Sequence, residues 1–199
     1  MARPQIKMGT SITNYHQVKM APDACLSPFA TICGDVTIGA GASVFAGTQI
    51  RGDCEPVVVG ALTNIQENSC LHVSMGSKLC VGNCVTVGHG VILHGCTIDD
   101  NVLVGMGSTV MDDVHIGSNC LIGAGSLVTQ GKEFEPGTLI MGSPARAVRK
   151  LTEEEIESMI TVAADAYAEV ARAMLADGLM ENPSADTDVW PPMSRWTVH

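Results

Sequence analysis

Aromatic residues are scarce in this chain. Phenylalanine, tyrosine and tryptophan together make up 4% of its 199 residues, although 46% of the residues are hydrophobic. Large rings normally contribute much of the buried area of a wide core. The apolar residues here are mostly aliphatic, so we expect a single domain with an interior too narrow to accept many rings.

Positive charge is scarce as well: 11 Lys and Arg residues stand against 21 Asp and Glu residues, a formal net charge of -10. Such an acidic chain is repelled by polyphosphate, which argues against nucleic acid or an anionic membrane as partner. The sequence also has no apolar run long enough to span a bilayer and no basic-plus-apolar secretory leader. We therefore expect a cytoplasmic protein that does not bind membranes.

The eight cysteines include no CxxC pair, which argues against a zinc-ribbon or dithiol framework. Most of them lie inside the repeat units described next. We interpret them as small buried hydrophobic residues in a reducing compartment.

A six-residue hydrophobic repeat dominates the chain. In each unit an aliphatic residue is usually followed by glycine or another small residue. The repeated residues are Ile32, Ile38, Val44, Ile50, Val59, Ile65, Leu71, Val81, Val87, Leu93, Ile98, Val104, Val110, Ile116, Ile122 and Val128. Short repeats of this kind are typical of a parallel β-helix, in which each unit is a strand and three units complete one turn of a triangular prism. A β-sandwich would show wider turn spacing.

The pattern divides the chain into three parts. We predict an all-β β-helix domain over residues 1–150, with a lead-in over 1–24, repeats over about 26–130 and a return segment over 132–149. A C-terminal α-helix is predicted over 151–178, and a tail over 179–199. Thr152 and Glu155 form a capping box at the start of that helix. We hypothesise that Trp190 and Trp196 of the tail dock on a surface, such as that of a neighbouring subunit.

Two histidines occupy equivalent places in the repeat. His72 follows Leu71 and His94 follows Leu93, and these two leucines are separated by three units, one full turn of the prism. We therefore predict that the two imidazoles stack on the same outer face. Arg51 belongs to the same column, one turn earlier.

A third histidine, His89, follows its aliphatic residue by two positions and is predicted to lie on another face. In a three-fold ring of prisms, His89 of one subunit can meet His72 and His94 of its neighbour. Three imidazoles plus a water molecule make an open catalytic zinc site. We predict a homotrimer with a metal ion at each subunit interface. His115 has no partner in its column and is predicted to be a surface residue.

Several strings carry a resemblance to a known family. They are RGD at 51–53, TNIQEN at 63–68, LHV at 71–73, VGHGVILHGC at 87–96 and GSPARAVR at 142–149. With them, most of residues 20–175 resembles the gamma-class carbonic anhydrases and their bacterial homologues. The resemblance implies a left-handed β-helix, a homotrimer and reversible hydration of CO₂ to bicarbonate.

The resemblance also implies roles for individual residues. His72 and His94 of one subunit and His89 of the next would bind Zn²⁺, or Fe²⁺ or Co²⁺. Such a cation lowers the pKa of bound water toward about 7, so that hydroxide can attack CO₂.

Five further residues complete the site that the resemblance implies. Gln66 would hydrogen-bond the metal-bound solvent or the bicarbonate, with Asn64 supporting it. Arg51 would either hold an anion or pair with Asp53, and the resemblance implies that this pair forms across the subunit interface. Tyr167 matches a tyrosine of those bacterial homologues in which the loop after the first histidine is short. The alternative role of Tyr167 is that of a residue in the helix core.

The sequence departs from well-studied family members near the site. Cys54, followed by Glu55, stands where a glutamate implicated in proton transfer is expected, and the short stretch 73–79 contains no acid. Slow turnover would leave other functions open. These are a metal-dependent acyl-CoA thioesterase, a CoA-dependent hexapeptide acyltransferase with a histidine as general base, and a non-catalytic trimeric module.

Overall fold

The computed structural model describes residues 18–183. Most of the predicted lead-in lies outside the described residues, as do residues 184–199 of the predicted tail with Trp190 and Trp196. No helix within the described range is both long and apolar enough to cross a membrane.

Short strands make up most of the described chain. In chain order they are β1 (Lys19–Met20), β2 (Cys25–Leu26), β3 (Thr31–Ile38), β4 (Ser43–Val44), β5 (Gln49–Val59), β6 (Asn64–Ile65), β7 (Cys70–His72), β8 (Leu79–Val81), β9 (Thr86–Val87), β10 (Ile92–His94), β11 (Thr97–Ile98), β12 (Leu103–Val104), β13 (Thr109–Val110), β14 (His115–Ile116), β15 (Leu121–Ile122), β16 (Leu127–Val128), β17 (Glu133–Phe134), β18 (Thr138–Gly142) and β19 (Ala145–Lys150).

These strands form a left-handed parallel β-helix of about seven turns, as predicted. Strands of successive turns pair in parallel, and the coil has three faces. We call them the histidine face (β5, β7, β10, β13 and β16), the helix face (β2, β4, β6, β9, β12, β15 and β18) and the third face (β8, β11, β14 and β17). Strands β3 and β5 are long enough to bend from the histidine face onto the third face.

The aliphatic repeat forms the core, as predicted. Each of its sixteen residues from Ile32 to Val128 is at most 2% exposed. The repeat also includes Leu26, which lies in register with Val44, and it extends beyond the predicted end near residue 130, because Ile140 lies in register with Ile122. Each inward side chain therefore stacks on its equivalents one turn away, which fixes the register of the strands.

The predicted return segment over 132–149 contains two parts, the end of the last turn of the coil and an antiparallel strand. Strands β17 and β18 complete the last turn, because Phe134 is in register with Ile116. The chain then reverses, and β19 pairs antiparallel with β18. Gly142 has a φ of +109°, a conformation that side chains rarely adopt, so glycine permits the reversal.

The C-terminal helix consists of α1 (Glu153–Glu155), a π-helical segment (Ile156–Thr161) and α2 (Val162–Ala176). The predicted capping box is present: Glu155 N–H donates to Thr152 Oγ1 at 3.1 Å, and Thr152 N–H donates to the Glu155 carboxylate at 2.9 Å. The π-helical segment was not predicted. Helix α2 contacts β2 and β6, so it covers one end of the helix face.

The burial of the aliphatic repeat predicts that substitutions of two adjacent residues of β14 differ greatly in their effect on the free energy of unfolding. Ile116 is fully buried, whereas the His115 side chain is 50% exposed. We expect Ile116→Ala to lower the free energy of unfolding by about 2–5 kcal/mol, because it leaves a cavity. His115→Ala should lower it by less than about 1 kcal/mol. Urea unfolding followed by circular dichroism measures both, and equal losses would contradict the inward assignment.

Candidate metal centre

The histidine face places three polar residues on successive turns. Arg51 of β5 is in register with His72 of β7, which is in register with His94 of β10. This is the column that the spacing of the repeat predicts. Each residue directly follows a buried aliphatic residue, so its side chain points out of the coil.

The two imidazoles converge. Nδ1 of His72 lies 3.0 Å from Nε2 of His94, and the ring centroids are 5.0 Å apart at an interplanar angle of 65°. The other nitrogen of each ring contacts a carboxylate. Asp53 Oδ1 lies 3.1 Å from His72 Nε2, and Asp112 Oδ1 lies 2.7 Å from His94 Nδ1.

These carboxylates determine which nitrogens carry protons. An ionised carboxylate can only accept, so the nitrogen facing it is the donor and the second nitrogen of a neutral imidazole holds a lone pair. The facing nitrogens of His72 and His94 are therefore both acceptors. Two acceptors at this separation repel each other unless a proton or a cation lies between them.

The donor set fits a divalent cation such as Zn²⁺. With Zn–N distances of about 2.0–2.1 Å, two nitrogens of a tetrahedral site lie roughly 3.3 Å apart, close to the separation found here. Carboxylates behind ligand histidines are also the usual arrangement of such sites. However, no three His, Cys, Asp or Glu side chains converge as a metal site within residues 18–183 of a single chain.

His89 lies apart from the other two histidines, as predicted. It follows β9 at the corner between the helix face and the histidine face, whereas His94 lies at the far end of β10. Its side chain is 49% exposed, and Nδ1 lies 2.7 Å from the Glu67 carboxylate. In the tautomer that donates to Glu67, Nε2 of His89 is the nitrogen available to a ligand.

Charges around the column favour ionised Asp53 and neutral His72. Partial burial acts to raise the pKa of Asp53, but the hydrogen bond from His72 and the charge of Arg51 outweigh it and lower this pKa. Partial burial lowers the pKa of His72, and Arg51 and His94 act in the same direction against the attraction of Asp53. A neutral imidazole can bind a metal ion, whereas a protonated one cannot.

Arg51 and Asp53 form an ion pair within one chain, whereas the resemblance implies a pair between subunits. The intrachain contact places the Asp53 carboxylate between the guanidinium of Arg51 and the imidazole of His72. Asp53 therefore contributes to the orientation of His72.

Gln66 and Asn64 lie on the helix face and are 3% and 1% exposed. Nε2 of Gln66 donates to Asn64 Oδ1 at 3.1 Å, and Nδ2 of Asn64 donates to Thr86 Oγ1 at 2.9 Å. Because Glu67 follows Gln66, both amides lie on the same side of the coil as His89. Within one chain they are not grouped with His72 and His94.

Tyr167 belongs to α2 and packs edge-on against Phe45, with ring centroids 6.0 Å apart. Phe45 is equivalent to Gln66 one turn earlier, because Val44 is in register with Ile65. Tyr167 thus has a packing contact in the helix core. It also lies close to the stack of equivalent positions on the helix face that includes Gln66.

Four residues that support the site were not predicted from the sequence: Asp112, Ser74, Glu67 and Thr86. For Asp112 the repeat held a usable signal. Val110 is one turn after Leu93, so Met111 is equivalent to His94, and Asp112 is the next residue along the chain, close to that column. The contacts of Ser74 depend on the path of a loop, and no periodic pattern reveals that path.

Several known proteins are similar to this chain. A family profile described as "Bacterial transferase hexapeptide (six repeats)" matches residues 95–130. Gamma carbonic anhydrase 1, mitochondrial, of Arabidopsis thaliana is 40% identical over 161 residues, which cover 78% of this chain and 58% of that protein. A carbonic anhydrase of Geobacillus kaustophilus is 48% identical over 71% of this chain and 78% of its own length.

The chain belongs to the gamma-class carbonic anhydrase family.

Other proteins that are similar to this chain carry different descriptions. The carnitine operon protein CaiE of Escherichia coli is 40% identical over 68% of this chain and 69% of its own length. A solved Bacillus cereus structure, provisionally assigned as an acetyltransferase, is 41% identical with a TM-score of 0.78 and covers 80% of this chain and 92% of that one. Family membership therefore does not by itself define the reaction.

The residues at which this chain departs from well-studied gamma-class enzymes are engaged elsewhere. Cys54 is exposed, and its thiol lies 3.7 Å from the carbonyl oxygen of Val73. The carboxylate of Glu55 accepts a hydrogen bond from the Gly76 N–H at 3.0 Å. Glu55 therefore holds the short loop that follows His72.

The charges around the column of Arg51, His72 and His94 predict the effect of removing the positive charge of Arg51. Burial, together with the charges of Arg51 and His94, lowers the pKa of His72 against the opposing hydrogen bond and charge of Asp53. The unfolded chain therefore binds this proton more readily than the folded one, and acidification below pH 6.5 favours unfolding. Arg51→Met should raise the pKa of both His72 and Asp53 and weaken that dependence. Lys78→Met, which removes an exposed cation from the adjacent loop, is the control.

NMR titration of the His72 ring in metal-free protein measures this effect. We expect a higher midpoint in Arg51→Met than in wild type and no change in Lys78→Met. An unchanged or lower midpoint in Arg51→Met would show that its charge does not act on His72.

Proposed function

We propose that this chain is the subunit of a metal-dependent homotrimeric enzyme that interconverts CO₂ and bicarbonate. The observation that carries the proposal is the convergence of His72 Nδ1 and His94 Nε2 at 3.0 Å, each ring being held from behind by a carboxylate. This arrangement provides two ligands of an open metal site and lacks the third.

The third ligand is His89 of a neighbouring subunit. Its exposed ring and its Glu67-bound Nδ1 support this assignment, because Nε2 is then directed away from Glu67. Ile92 of the histidine face and Met106, one turn beyond His89 at the same corner, are 43% and 58% exposed. A neighbouring subunit would cover these apolar side chains while bringing the three imidazoles together.

The metal ion would be Zn²⁺, Fe²⁺ or Co²⁺, held by the three imidazoles. When bound, such a cation supplies a Lewis acid that makes water nucleophilic near neutral pH. Asp53 and Asp112 fix the tautomers of His72 and His94, so that both rings present lone pairs without rearrangement.

Gln66 is the residue best suited to hold the anionic product. One N–H of its amide donates to Asn64 and fixes the orientation of the group, which leaves the second N–H to donate to an oxygen of bicarbonate. Tyr167 packs one turn away from Gln66 and would form one side of the pocket that holds bicarbonate. Both residues act from the subunit that contributes His89.

A second reaction on the same centre is hydrolysis of an acyl-CoA thioester. The observation that favours it is the lack of an acid in the stretch 73–79, together with the use of Glu55 as a loop contact. Without a nearby proton acceptor, hydration would turn over slowly. A CoA-dependent acyltransferase would use one histidine as general base and would need no stoichiometric metal, so metal content separates this third class from the other two.

The compartment that we propose is the cytoplasm. All eight cysteines have free thiols, including the buried Cys25, Cys96 and Cys120. Burial raises the pKa of the Cys96 thiol to about 12, so this thiol stays protonated and unreactive. Free cysteines in such number suit a reducing environment.

Metal binding tests the ligand assignment. We expect wild-type protein to bind one ion per chain and His89→Ala to lose stoichiometric metal. His115→Ala is the matched control, because His115 is equally exposed and also pairs with a carboxylate, Asp99 at 3.1 Å. Elemental analysis of the purified trimers measures both. Full metal content in His89→Ala would refute the assignment.

Complementation tests whether the site is shared and whether it hydrates CO₂. Trimers of His72→Ala alone or His89→Ala alone should be inactive in stopped-flow CO₂ hydration. When both variants are co-expressed equally, about a quarter of the interfaces combine an intact His72 with an intact His89, so about a quarter of the wild-type rate should return. Acyl-CoA hydrolysis is measured in parallel. No recovery in either assay would contradict a shared catalytic site.

A further inference from the structure

The loop between β7 and β8 is a compact strap. We use this name for residues 74–77, which begin two residues after His72. Ser74 and Ser77 bridge to each other through their backbones, with N–H to O distances of 2.9 and 3.3 Å. The strap occupies the acid-free stretch at which the sequence departs from the well-studied family members.

Three carboxylates from other parts of the coil hold this strap. Glu55 accepts from the Gly76 N–H at 3.0 Å. Asp112 accepts from the Ser74 hydroxyl at 3.2 Å, and Asp113 accepts from the Ser77 hydroxyl at 2.6 Å. The strap is therefore fixed to turns of the coil on both of its sides.

Asp112 connects the strap to the metal centre. Its Oδ1 accepts from His94 Nδ1 at 2.7 Å, while its Oδ2 accepts from Ser74 Oγ. Since His72 lies two residues before Ser74, one imidazole is joined to the strap through the backbone and the other through Asp112. The hydrogen bond between Ser74 and Asp112 closes a ring that contains both histidines.

Gly95 leaves room for this connection. A Cβ atom at position 95 would lie 2.2 Å from Asp112 Oδ1 and 3.1 Å from the backbone oxygen of Ser77, and the φ of Gly95 is +52°. The N–H of Gly95 also donates to the carbonyl oxygen of His72 at 3.0 Å. Any larger residue here would push Asp112 away from His94.

We infer that Asp112 and Ser74 are positioning residues that set the tautomer of His94 and its separation from His72. Their role toward a metal ion rests on the proposed function, but their effect on the imidazoles of the metal-free chain does not. Asp112 fixes the His94 proton on Nδ1, and Ser74 fixes the carboxylate. The strap thus serves metal binding rather than proton transfer.

The test compares four variants of the full-length protein. Asp112→Asn removes the charge behind His94, Ser74→Ala removes the hydroxyl, and Ser74→Thr restores it. Asp113→Asn is the matched control, because Asp113 holds the same strap but accepts its hydrogen bonds from Ser77 and Gln130 rather than from a histidine. The readouts are the Zn²⁺ dissociation constant from chelator competition and the ¹⁵N shifts of the His94 ring in metal-free protein.

We expect Asp112→Asn to weaken Zn²⁺ binding about 10–100-fold and to shift the His94 proton away from Nδ1. Ser74→Ala should weaken binding severalfold, with rescue in Ser74→Thr, and Asp113→Asn should stay within about twofold of wild type.

The inference would be overturned if Asp112→Asn had the same Zn²⁺ dissociation constant and the same His94 ring spectrum as the Asp113→Asn control. If wild type binds no metal, the proposed function fails, while the ring spectra still decide the positioning role. A His94 proton that stays on Nδ1 in Asp112→Asn refutes that role, and its displacement supports it.

Discussion

Stacking of aliphatic side chains inside a narrow prism is the constraint on which the site depends. Leu71 and Leu93 are fully buried and lie in register on adjacent turns, so the residue after each must point outward at the same height. A slip of one residue would exchange inward and outward side chains and bury the histidines. Core packing, rather than any local histidine motif, therefore aligns His72 with His94.

Electrostatics then gives this alignment a chemical consequence. Carboxylates on both outer sides of the pair, Asp53 and Asp112, hold the two protons outward and leave lone pairs facing each other. The coil alone would supply only two imidazoles at a common height. The added carboxylates leave both lone pairs available to the metal ion of the proposed function, and a further donor would complete that site. The proposed site would therefore connect the chemistry to assembly, since His89 lies at a different corner of its own chain.

Features that follow the repeat could be predicted from the sequence, and features that depend on loop paths could not. The buried aliphatic residues, the column of Arg51, His72 and His94 and the capping box at Thr152 all follow from periodicity or local chemistry. The antiparallel strand β19 depends on a single reversal at Gly142, which interrupts the period. The contact between Ser74 and Asp112 joins residues 38 positions apart through a loop with no repeat of its own. The π-helical segment likewise has no counterpart in a pattern of apolar residues.

The most direct test of the account is anomalous X-ray diffraction from crystals of the zinc-loaded full-length protein. The account predicts one zinc ion at each interface of a three-fold trimer, bound by Nδ1 of His72 and Nε2 of His94 from one subunit and by His89 of the next. Zinc held within a single chain, or at an interface without His89, would contradict it.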